Sequence, residues 1–460
     1  MYGVNIGLEI GRRALLSAQY ALNTNGHNIA NVNTPGFTRQ QAMMISTQPF
    51  DSNRMQFGTG VKVDSVRRIR SYFLDEQFRQ ETQRMGRWQT LSYSWEQVER
   101  IFVEPSDNGF GSLLEDFWNS WQDLSISPDS MAARSAVREQ ANLLINGLHQ
   151  MNNQMTDLQK SIDDDIQKSV EYINEIANQL ASLNETIQTA ELSGHQANDL
   201  RDRRDLLVDE LSDYINVEVL EQPNGNYTVF VGSMAFVDGN TVSNLELSVR
   251  DTGTTVIHDI KFANSPISPE IVNGKLAGYI ETRDEIVPER LAELDQLALS
   301  LVEQLNELHK DGYSLNGETN ICFFDPDTTG AADIKLDDLI IADEGYISAS
   351  LNGETGDNSN ALRIAGLRHE LVMNNGTATI NDFYNSIVGI IGIKTNEALN
   401  MAENQTALVF HIENSKQSLE GVSLDEEMTN MIKYEHAYEA AARVITAMDD
   451  ALNTIINNMG

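Results

Sequence analysis

Apolar residues recur at every seventh position near both ends of the chain. The N-terminal series is Leu8, Leu15, Leu22 and Ile29, with Gly11, Ala18, Asn25 and Val32 at the intervening seam positions. The C-terminal series is Leu424, Met431, Tyr438, Ile445, Leu452 and Met459, flanked by Met428 and Ile456. A seven-residue repeat is typical of a coiled-coil seam. Neither series has a partner nearby in sequence, so we predict two terminal helices that pack on each other and on neighbouring copies of the chain. The alternative is an ordinary helix packed on a globular core.

Spacings of three and four residues predict a helical block after the first series. Two stripes rich in aromatic residues carry this pattern: Trp88, Leu91, Trp95, Val98 and Phe102, then Phe110, Leu114, Phe117, Trp121 and Leu124. Large aromatic residues at this spacing are typical of a helical core. The triplet 128–130, Pro-Asp-Ser, predicts a turn and a helix cap. A long helix with a stutter in its heptads follows, and Gly194 ends it before a second, charged helix.

The hydrophobic period changes to two after Ile215, which predicts β structure. The turn sequence 223–226, Pro-Asn-Gly-Asn, and the pair Asp238-Gly239 each predict a hairpin. Helical spacing returns from Lys275 to Lys310. Residues 312–360 are rich in Gly, Asp and Asn, with a strand-like stretch from Ile340 to Ser350.

We therefore predict an α+β, multidomain and mostly α fold. It has terminal coiled-coil helices, a long helical-bundle stalk and an inserted β domain. The predicted units are a terminal assembly domain (1–60 with 415–460), a stalk (61–212 with 274–311 and 361–414), a β domain (213–273) and a small insertion or long loop (312–360).

Charge and cysteine content narrow the range of partners. The chain has 68 acidic and 32 basic residues, giving a formal net charge of −36. Affinity for phosphate comes from clustered Lys and Arg, so we expect neither a nucleic-acid partner nor an anionic membrane surface as a partner. The single cysteine, Cys322, excludes intramolecular disulfides and Cys-rich metal sites. No apolar run is long enough for a membrane span, and the first 20 residues lack the pattern of a cleaved signal peptide.

Two compact groups of charged residues stand out. The first is Arg67, Arg68 and Arg70, and the second is the run 201–205, Arg-Asp-Arg-Arg-Asp. Such groups are typical of solvated, salt-bridged surfaces. An anion site is the alternative for the second group.

Motifs for catalysis or metal binding are incomplete. Residues 325–333 fit a calcium loop at positions 1, 3, 6 and 9, but position 12 is Leu336 where a bidentate Glu is needed. The pair Gly58 and Gly60 lacks the third glycine of a dinucleotide loop, and the histidines have no zinc-hydrolase spacing. We expect no catalytic, cofactor-binding or metal-binding residues, which favours a structural or assembly protein.

Residues 21–40, ALNTNGHNIANVNTPGFTRQ, resemble the N-terminal signature of the bacterial flagellar axial proteins, which comprise the rod, hook and hook-associated families. The run from Leu424 to Val444 looks like the matching C-terminal end. Three further segments are similar to the hook-associated family at the hook–filament junction: 198–205, 274–284 and 356–362.

This resemblance implies an extracellular structural component of the flagellum that leaves the cell through the type III export apparatus without a cleaved signal. It implies polymerisation into a tube through the terminal helices. The implied partners are further copies of the chain, the hook protein, the next hook-associated junction protein and an export chaperone at the C-terminal helix. Before assembly, we expect both termini to be disordered or chaperone-bound.

Two rival interpretations remain at this point. The first is another axial protein, such as hook or distal rod, but the helical block from 88 to 212 argues against it. The second is an extracellular adhesin or enzyme built on the same scaffold. That second interpretation would need a carboxylate or metal cluster within 215–273 or 312–360.

Overall fold

The structure is a computed structural model that describes residues 2–52, 55–102, 109–192, 194–253, 255–263 and 265–458. The helices, in chain order, are α1 (Tyr2–Ala30), α2 (Tyr72–Phe102), α3 (Phe110–Ile126), α4 (Met131–Glu191), α5 (Asn198–Tyr214), α6 (Lys275–Glu281), α7 (Val287–Asp311), α8 (Asp338–Ala342), α9 (Ser359–Gly366), α10 (Ile380–Glu420) and α11 (Leu424–Asn458). The strands are β1 (Gln40–Ser46), β2 (Phe50–Ser52), β3 (Met55–Phe57), β4 (Val61–Arg68), β5 (Glu218–Glu221), β6 (Tyr227–Val231), β7 (Met234–Asp238), β8 (Thr241–Val242), β9 (Leu245–Asp251) and β10 (Val256–Phe262).

The strands form local antiparallel sheets. β1 pairs with β4, from Gln40 opposite Arg68 to Ser46 opposite Val61, and β2 pairs with β3 at the tip of this hairpin. A four-stranded sheet has the order β5-β6-β7-β8, and β9 pairs with β10. Both predicted turns are present, because Gly225 and Gly239 adopt φ angles of 82° and 58° that favour glycine.

The longest helix, α4, forms as its sequence predicts. Its N-cap is Ser130, whose side chain accepts a hydrogen bond from the Ala133 amide. With 61 residues and a rise of about 1.5 Å per residue, α4 is a rod of about 90 Å. Gly194, with a φ of 81°, lies in the turn after it.

The stalk core lies between α2, α3, α4, α7 and α10. Its centre is aromatic: the rings of Trp121 and Phe323 lie 5.3 Å apart, and those of Phe117 and Trp118 lie 5.1 Å apart. Phe323 comes from the 312–360 segment, so this segment supplies core residues although it contains little regular structure. His309 of α7 binds this segment at two points. Its Nδ1 donates to Ile321 O (2.8 Å), and its Nε2 accepts the Ser348 amide (2.8 Å).

The strand-like interpretation of Ile340 to Ser350 is wrong. Residues 338–342 form α8, whose N-cap Asp337 accepts the Leu339 amide, and a 3₁₀ turn follows at Glu344–Tyr346. Only Ser350 makes a β-bridge, with Tyr313. The apolar residues fit this short helix because Ile340 points into the stalk core.

The inserted β structure packs on α4 and α5 and forms a second core with them. Phe236 and Phe262 from the strands meet Ile166 and Val208 from the helices there. The chain returns to the stalk through α6, a π-helical turn at Thr282–Ile286 and α7. The predicted fold class, mostly helical with an inserted β domain, is confirmed.

Candidate assembly interface

The terminal helices α1 and α11 pack antiparallel. Gly7 lies against Met448 and Gly11 against Ile445, while Asn25 and Asn28 lie beside Glu427. A Cβ atom at Gly11 would stand 2.8 Å from Cγ1 of Ile445, so only glycine permits this approach. The other fully buried apolar residues of the pair are also small: Ala18, Ala21 and Ala441.

The sequence-predicted seam residues flank this line of small residues. On α1, Ala18 is buried and Leu8, Leu15, Leu22, Ile29 and the following Val32 are half-buried. On α11, Met431, Ile445 and Leu452 are half-buried, whereas Leu424, Met428, Tyr438 and Ile456 are exposed. Met459 lies outside the described residues. The contact line on α1 runs through the intervening positions Gly11, Ala18 and Asn25, so the larger apolar residues lie beside it.

A long hairpin covers another side of α1. Ser17 Oγ donates to Val61 O (3.5 Å), and Gly60 lies against Ile10. The hairpin exposes large apolar side chains on β1 and at its tip: Met43, Met44, Ile45, Phe50, Met55 and Phe57.

The signature segment joins α1, this hairpin and the stalk. Asn28, which is fully buried, donates from Nδ2 to Gln40 O (2.8 Å) and accepts the Gln40 amide at Oδ1 (3.0 Å). The Thr38 amide donates to Asp202 of α5 (3.0 Å), and the Arg39 amide donates to Glu420 O at the end of α10 (2.8 Å). The helix-breaking Asn residues therefore serve tertiary contacts, which no helix propensity reveals.

Glu427 is a buried carboxylate at the start of α11. It accepts Arg39 Nε at Oε1 (2.7 Å) and Asn28 Nδ2 at Oε2 (3.1 Å). Its neighbour Glu426 accepts a hydrogen bond from Nη1 of Arg39 (2.6 Å), but the Glu426 side chain is 61% exposed. The N-terminal turn of a helix favours negative charge, and both carboxylates lie there.

A larger ionic network lies next to this point. It joins four cationic and four anionic side chains from the hairpin, the link 69–71, α2, α5 and α10: Arg68, Arg70, Arg79, Lys416, Asp75, Asp202, Asp205 and Asp209. At its centre, Asp205 accepts from Arg68 (2.7 Å), Arg70 (2.9 Å) and the hydroxyl of Tyr227 (2.6 Å).

The charges in this network compensate one another. Burial opposes ionisation of Asp205, but the guanidinium groups of Arg70, Arg68 and Arg79 outweigh it and hold the pKa of Asp205 well below its usual range. Burial also opposes ionisation of Asp75, and Arg70 with Lys416 lowers the pKa of this carboxyl as well.

Two sequence interpretations need correction here. The run 201–205 and the pair Arg68 and Arg70 do form salt bridges, but they are largely shielded from solvent, whereas Arg67 is exposed as predicted. Arg201, Asp202, Arg204 and Asp205 are buried, whereas Arg203 is exposed. The physical reason is that opposite charges from distant segments meet there and desolvate together.

Among the described residues, no three His, Cys, Asp or Glu side chains are grouped as a metal site would require. The acidic turn at 325–333 is closed by its own bonds, since Asp333 accepts the amides of Thr329 and Gly330. No described helix is both long enough and apolar enough to cross a membrane.

Both ends of the chain match families of the flagellar axis. A family model described as flagella basal body rod protein matches residues 8–38, and one described as flagellar basal body rod FlgEFG protein C-terminal matches residues 418–459. These matches cover α1 and α11, the helices that form the terminal pair. The class is therefore that of the flagellar axial proteins.

The particular family follows from the stalk and from the full-length relatives. The model of the FlgK helical domain matches residues 95–324. The chain is 34% identical to flagellar hook-associated protein 1 of Bacillus subtilis, over 99% of this chain and 98% of that protein. It is 27% identical to the Escherichia coli protein of the same name, over 96% and 98%. The chain belongs to the flagellar hook-associated protein 1 family, and its role is structural, at the hook–filament junction.

A solved structure shares the fold. The flagellar hook junction protein FlgK from Burkholderia pseudomallei matches with a TM-score of 0.67 at 17% identity, covering 75% of this chain and 100% of that one.

Proposed function

We propose that copies of this chain polymerise into a tube through their terminal units, each composed of α1, the β1–β4 hairpin and α11, and so connect hook to filament. The observation that carries this proposal is the apolar surface that one copy leaves in water. On α11, the exposed apolar side chains are Leu424, Met428, Ile432, Tyr438, Val444 and Ile456. The hairpin and α1 expose a further set, including Tyr20 and Phe57.

Energetics favour burial of this surface between copies. Burial of apolar area contributes about 25 cal/mol per Å², whereas the small residues between α1 and α11 bury little area within one copy. Contacts between copies therefore supply the stabilisation that the terminal pair lacks alone, as marginal helices require. Under this proposal the terminal helices become fully ordered only in the tube.

A tube built from copies related by axial displacement leaves different surfaces free at its two ends. We propose that one end receives the hook protein and the other the next hook-associated junction protein. The terminal units fit this role because they carry the sequence features shared across the axial families.

Before assembly, an export chaperone would cover the apolar face of α11, centred on Leu424, Met428 and Ile432. Helix-in-groove binding uses apolar side chains at such spacings of three and four residues. The chain would then leave the cell through the flagellar type III export apparatus. In this proposal the protein acts by assembly and catalyses no reaction.

The test of polymerisation is a triple variant, Leu424→Ser, Met428→Ser and Ile432→Ser, compared with the parent chain. Sedimentation and electron microscopy of concentrated protein should show tubes for the parent chain and none for the variant, because the variant removes apolar contacts between copies. The control is Ile126→Ser with Leu192→Ser, two side chains that are 75% and 82% exposed on the stalk. Assembly of the triple variant at parental concentration would contradict the proposal.

Limited proteolysis tests the state of the free chain. We expect loss of roughly residues 1–60 and 415–460 and survival of one stalk fragment, identified by mass, because local stability is lowest where buried area is smallest. Complete protection of both ends would show that they are already stable in the monomer.

A further inference from the structure

The seam between α1 and α11 contains little that would fix one axial position. The residues buried along it include Gly11, Ala18 and Ala21 on α1 and Ala441 on α11. Coiled coils normally set their register by inserting large side chains into holes on the facing helix. Small side chains insert weakly, and a slide by one turn, about 5.4 Å, would move Ile445 from Gly11 to Gly7. Glycine packing therefore does not by itself exclude that register.

Glu427 interrupts this uniform seam. Its side chain is 2% exposed and its carboxylate binds two groups from the N-terminal segment, Arg39 Nε at 2.7 Å and Asn28 Nδ2 at 3.1 Å. Its backbone carbonyl also accepts Asn25 Nδ2 at 3.3 Å. Three polar groups of the N-terminal segment therefore converge on one residue of α11.

These partners cannot follow a sliding helix. The Asn28 amide is held at both ends by the backbone of Gln40, through bonds of 2.8 and 3.0 Å. The backbone of Arg39 is fixed separately, because its amide donates to Glu420 O. Asn28 and Arg39 therefore hold their donors at one fixed position along the α1 axis.

A slide by one turn would replace Glu427 with Ser423 or Met431. A methionine thioether is a weak acceptor, and a serine hydroxyl is too short to reach both Asn28 and Arg39. The buried amides and the guanidinium would lose their acceptor, and an unsatisfied buried polar group is costly.

We propose that Glu427, acting through Asn28 and Arg39, sets the axial register of α11 on α1. A polar group in an otherwise apolar seam is a well-attested means of fixing register in coiled coils. Glu427 is thus a positioning residue of the terminal unit. The consequence for assembly rests on the proposed function: in the correct register, every copy presents the exposed apolar side chains of α1 and α11 at the same relative height.

Disulfide mapping in the full chain tests this assignment, with Cys322→Ser as background. Gly7→Cys is paired with Met448→Cys for the observed register, and with Ile445→Cys or Leu452→Cys for slides of one turn in either direction. Gly7 is used because only the flexible end of Met448 lies close to the added Cβ. Each pair is made in the parent chain, with Glu427→Gln and with Glu426→Gln. Glu426 is the matched control because it binds the same arginine from a solvent-exposed position.

In the parent chain, the Gly7→Cys/Met448→Cys disulfide should dominate. With Glu427→Gln, the ratio of slipped to native disulfide should rise about tenfold, which corresponds to about 1.4 kcal/mol. With Glu426→Gln, the ratio should stay within about twofold, because exposed ion pairs contribute little.

An unchanged ratio with Glu427→Gln would overturn the proposal, and so would equal yields for all three pairs in the parent chain. Sedimentation of the same samples reports tube formation separately. A parent chain that forms the native disulfide and does not assemble would contradict the proposed function and leave the register assignment intact.

Discussion

The stalk and the terminal unit use opposite means to hold helices together. The stalk core buries large rings, such as Phe117, Trp118 and Trp121, which are almost wholly inaccessible to solvent. The terminal pair buries Gly11, Ala18 and Ala441, and leaves its larger apolar side chains half-buried or exposed. Both regions are helical, so they differ in how much of their apolar area is buried within one copy of the chain.

This difference separates folding from assembly. Large buried side chains stabilise the stalk within one copy, because apolar burial is the dominant favourable contribution to folding. Small buried side chains bring α1 and α11 close together and leave much of their apolar area outside the pair. Under the proposed function, this area is what other copies cover, so folding and polymerisation draw on different surfaces.

The largest expected effect concerns the ionic network that joins the two regions. Asp205→Asn leaves Arg68, Arg70 and Arg79 without their shared carboxylate, so we expect a loss of about 3–5 kcal/mol in the free energy of unfolding. Urea unfolding followed by tryptophan fluorescence measures it, since all four Trp lie between residues 88 and 121. Asp157→Asn, at a side chain 77% exposed, is the control, and equal effects would contradict the role of the network.

The next largest effect is a pH dependence of the free energy of unfolding, caused by a buried histidine in the stalk. Burial lowers the pKa of His309 from 6.5 to about 4, so the unfolded chain binds more protons between these values. Stability is therefore fully present above pH 6.5 and falls as the pH drops towards 4, by about 3 kcal/mol at about 1.36 kcal/mol per unit.

Unfolding of the parent chain and of His309→Gln at several pH values isolates this contribution. Burial raises the pKa of Glu293 to about 7, which gives the opposite trend. The measured quantity is therefore the difference in free energy of unfolding between the parent chain and His309→Gln. If this difference does not vary with pH, the prediction is contradicted.

A smaller effect compares the two packing modes directly. Ile387→Val removes one methylene from the stalk core and should cost about 0.5–1.5 kcal/mol. Ile445→Val makes the same change on half-buried α11 and should cost less in the free chain. Hydrogen exchange of the α10 and α11 amides measures the loss of local stability in each variant. A larger loss for Ile445→Val than for Ile387→Val would contradict the proposed difference between the two regions.

The smallest effect on the free chain is expected at the hairpin tip. Phe57 is 46% exposed, so Phe57→Ser should change the stability of the monomer by less than about 0.5 kcal/mol. Tube formation in sedimentation experiments should nevertheless require a higher protein concentration. If assembly is unaffected, the hairpin lies outside the contacts between copies.

Local signals in the sequence were enough for most of the elements. The Ser130 cap, the Gly225 turn and the aromatic spacing in α2 and α3 each act within a few residues, so pattern reasoning finds them. The burial of Asp205 could not be predicted, because its partners Arg68 and Arg70 come from a segment far away in sequence. The role of Asn28 likewise depends on Glu427, at the opposite end of the chain.

The two ends of the chain also differ in what the seven-residue series could reveal. The series correctly indicates paired helices. It places Gly11, Ala18 and Asn25 at the intervening seam positions, but it does not indicate that these small and polar residues, rather than the leucines, form the contact line. A polar or very small residue within an apolar repeat was the available signal for Gly11, Asn25 and Asn28.

The ionic network also has a mechanical meaning. Only residues 421–423 separate α10 from α11, and only residues 69–71 separate the hairpin from α2. The ion pairs from Arg68 of β4 to Asp202 and Asp205 of α5 add a second connection beside these links. A joint that is held at several points resists both bending and twisting, so the terminal unit is braced on the stalk as a cantilever is braced at its root.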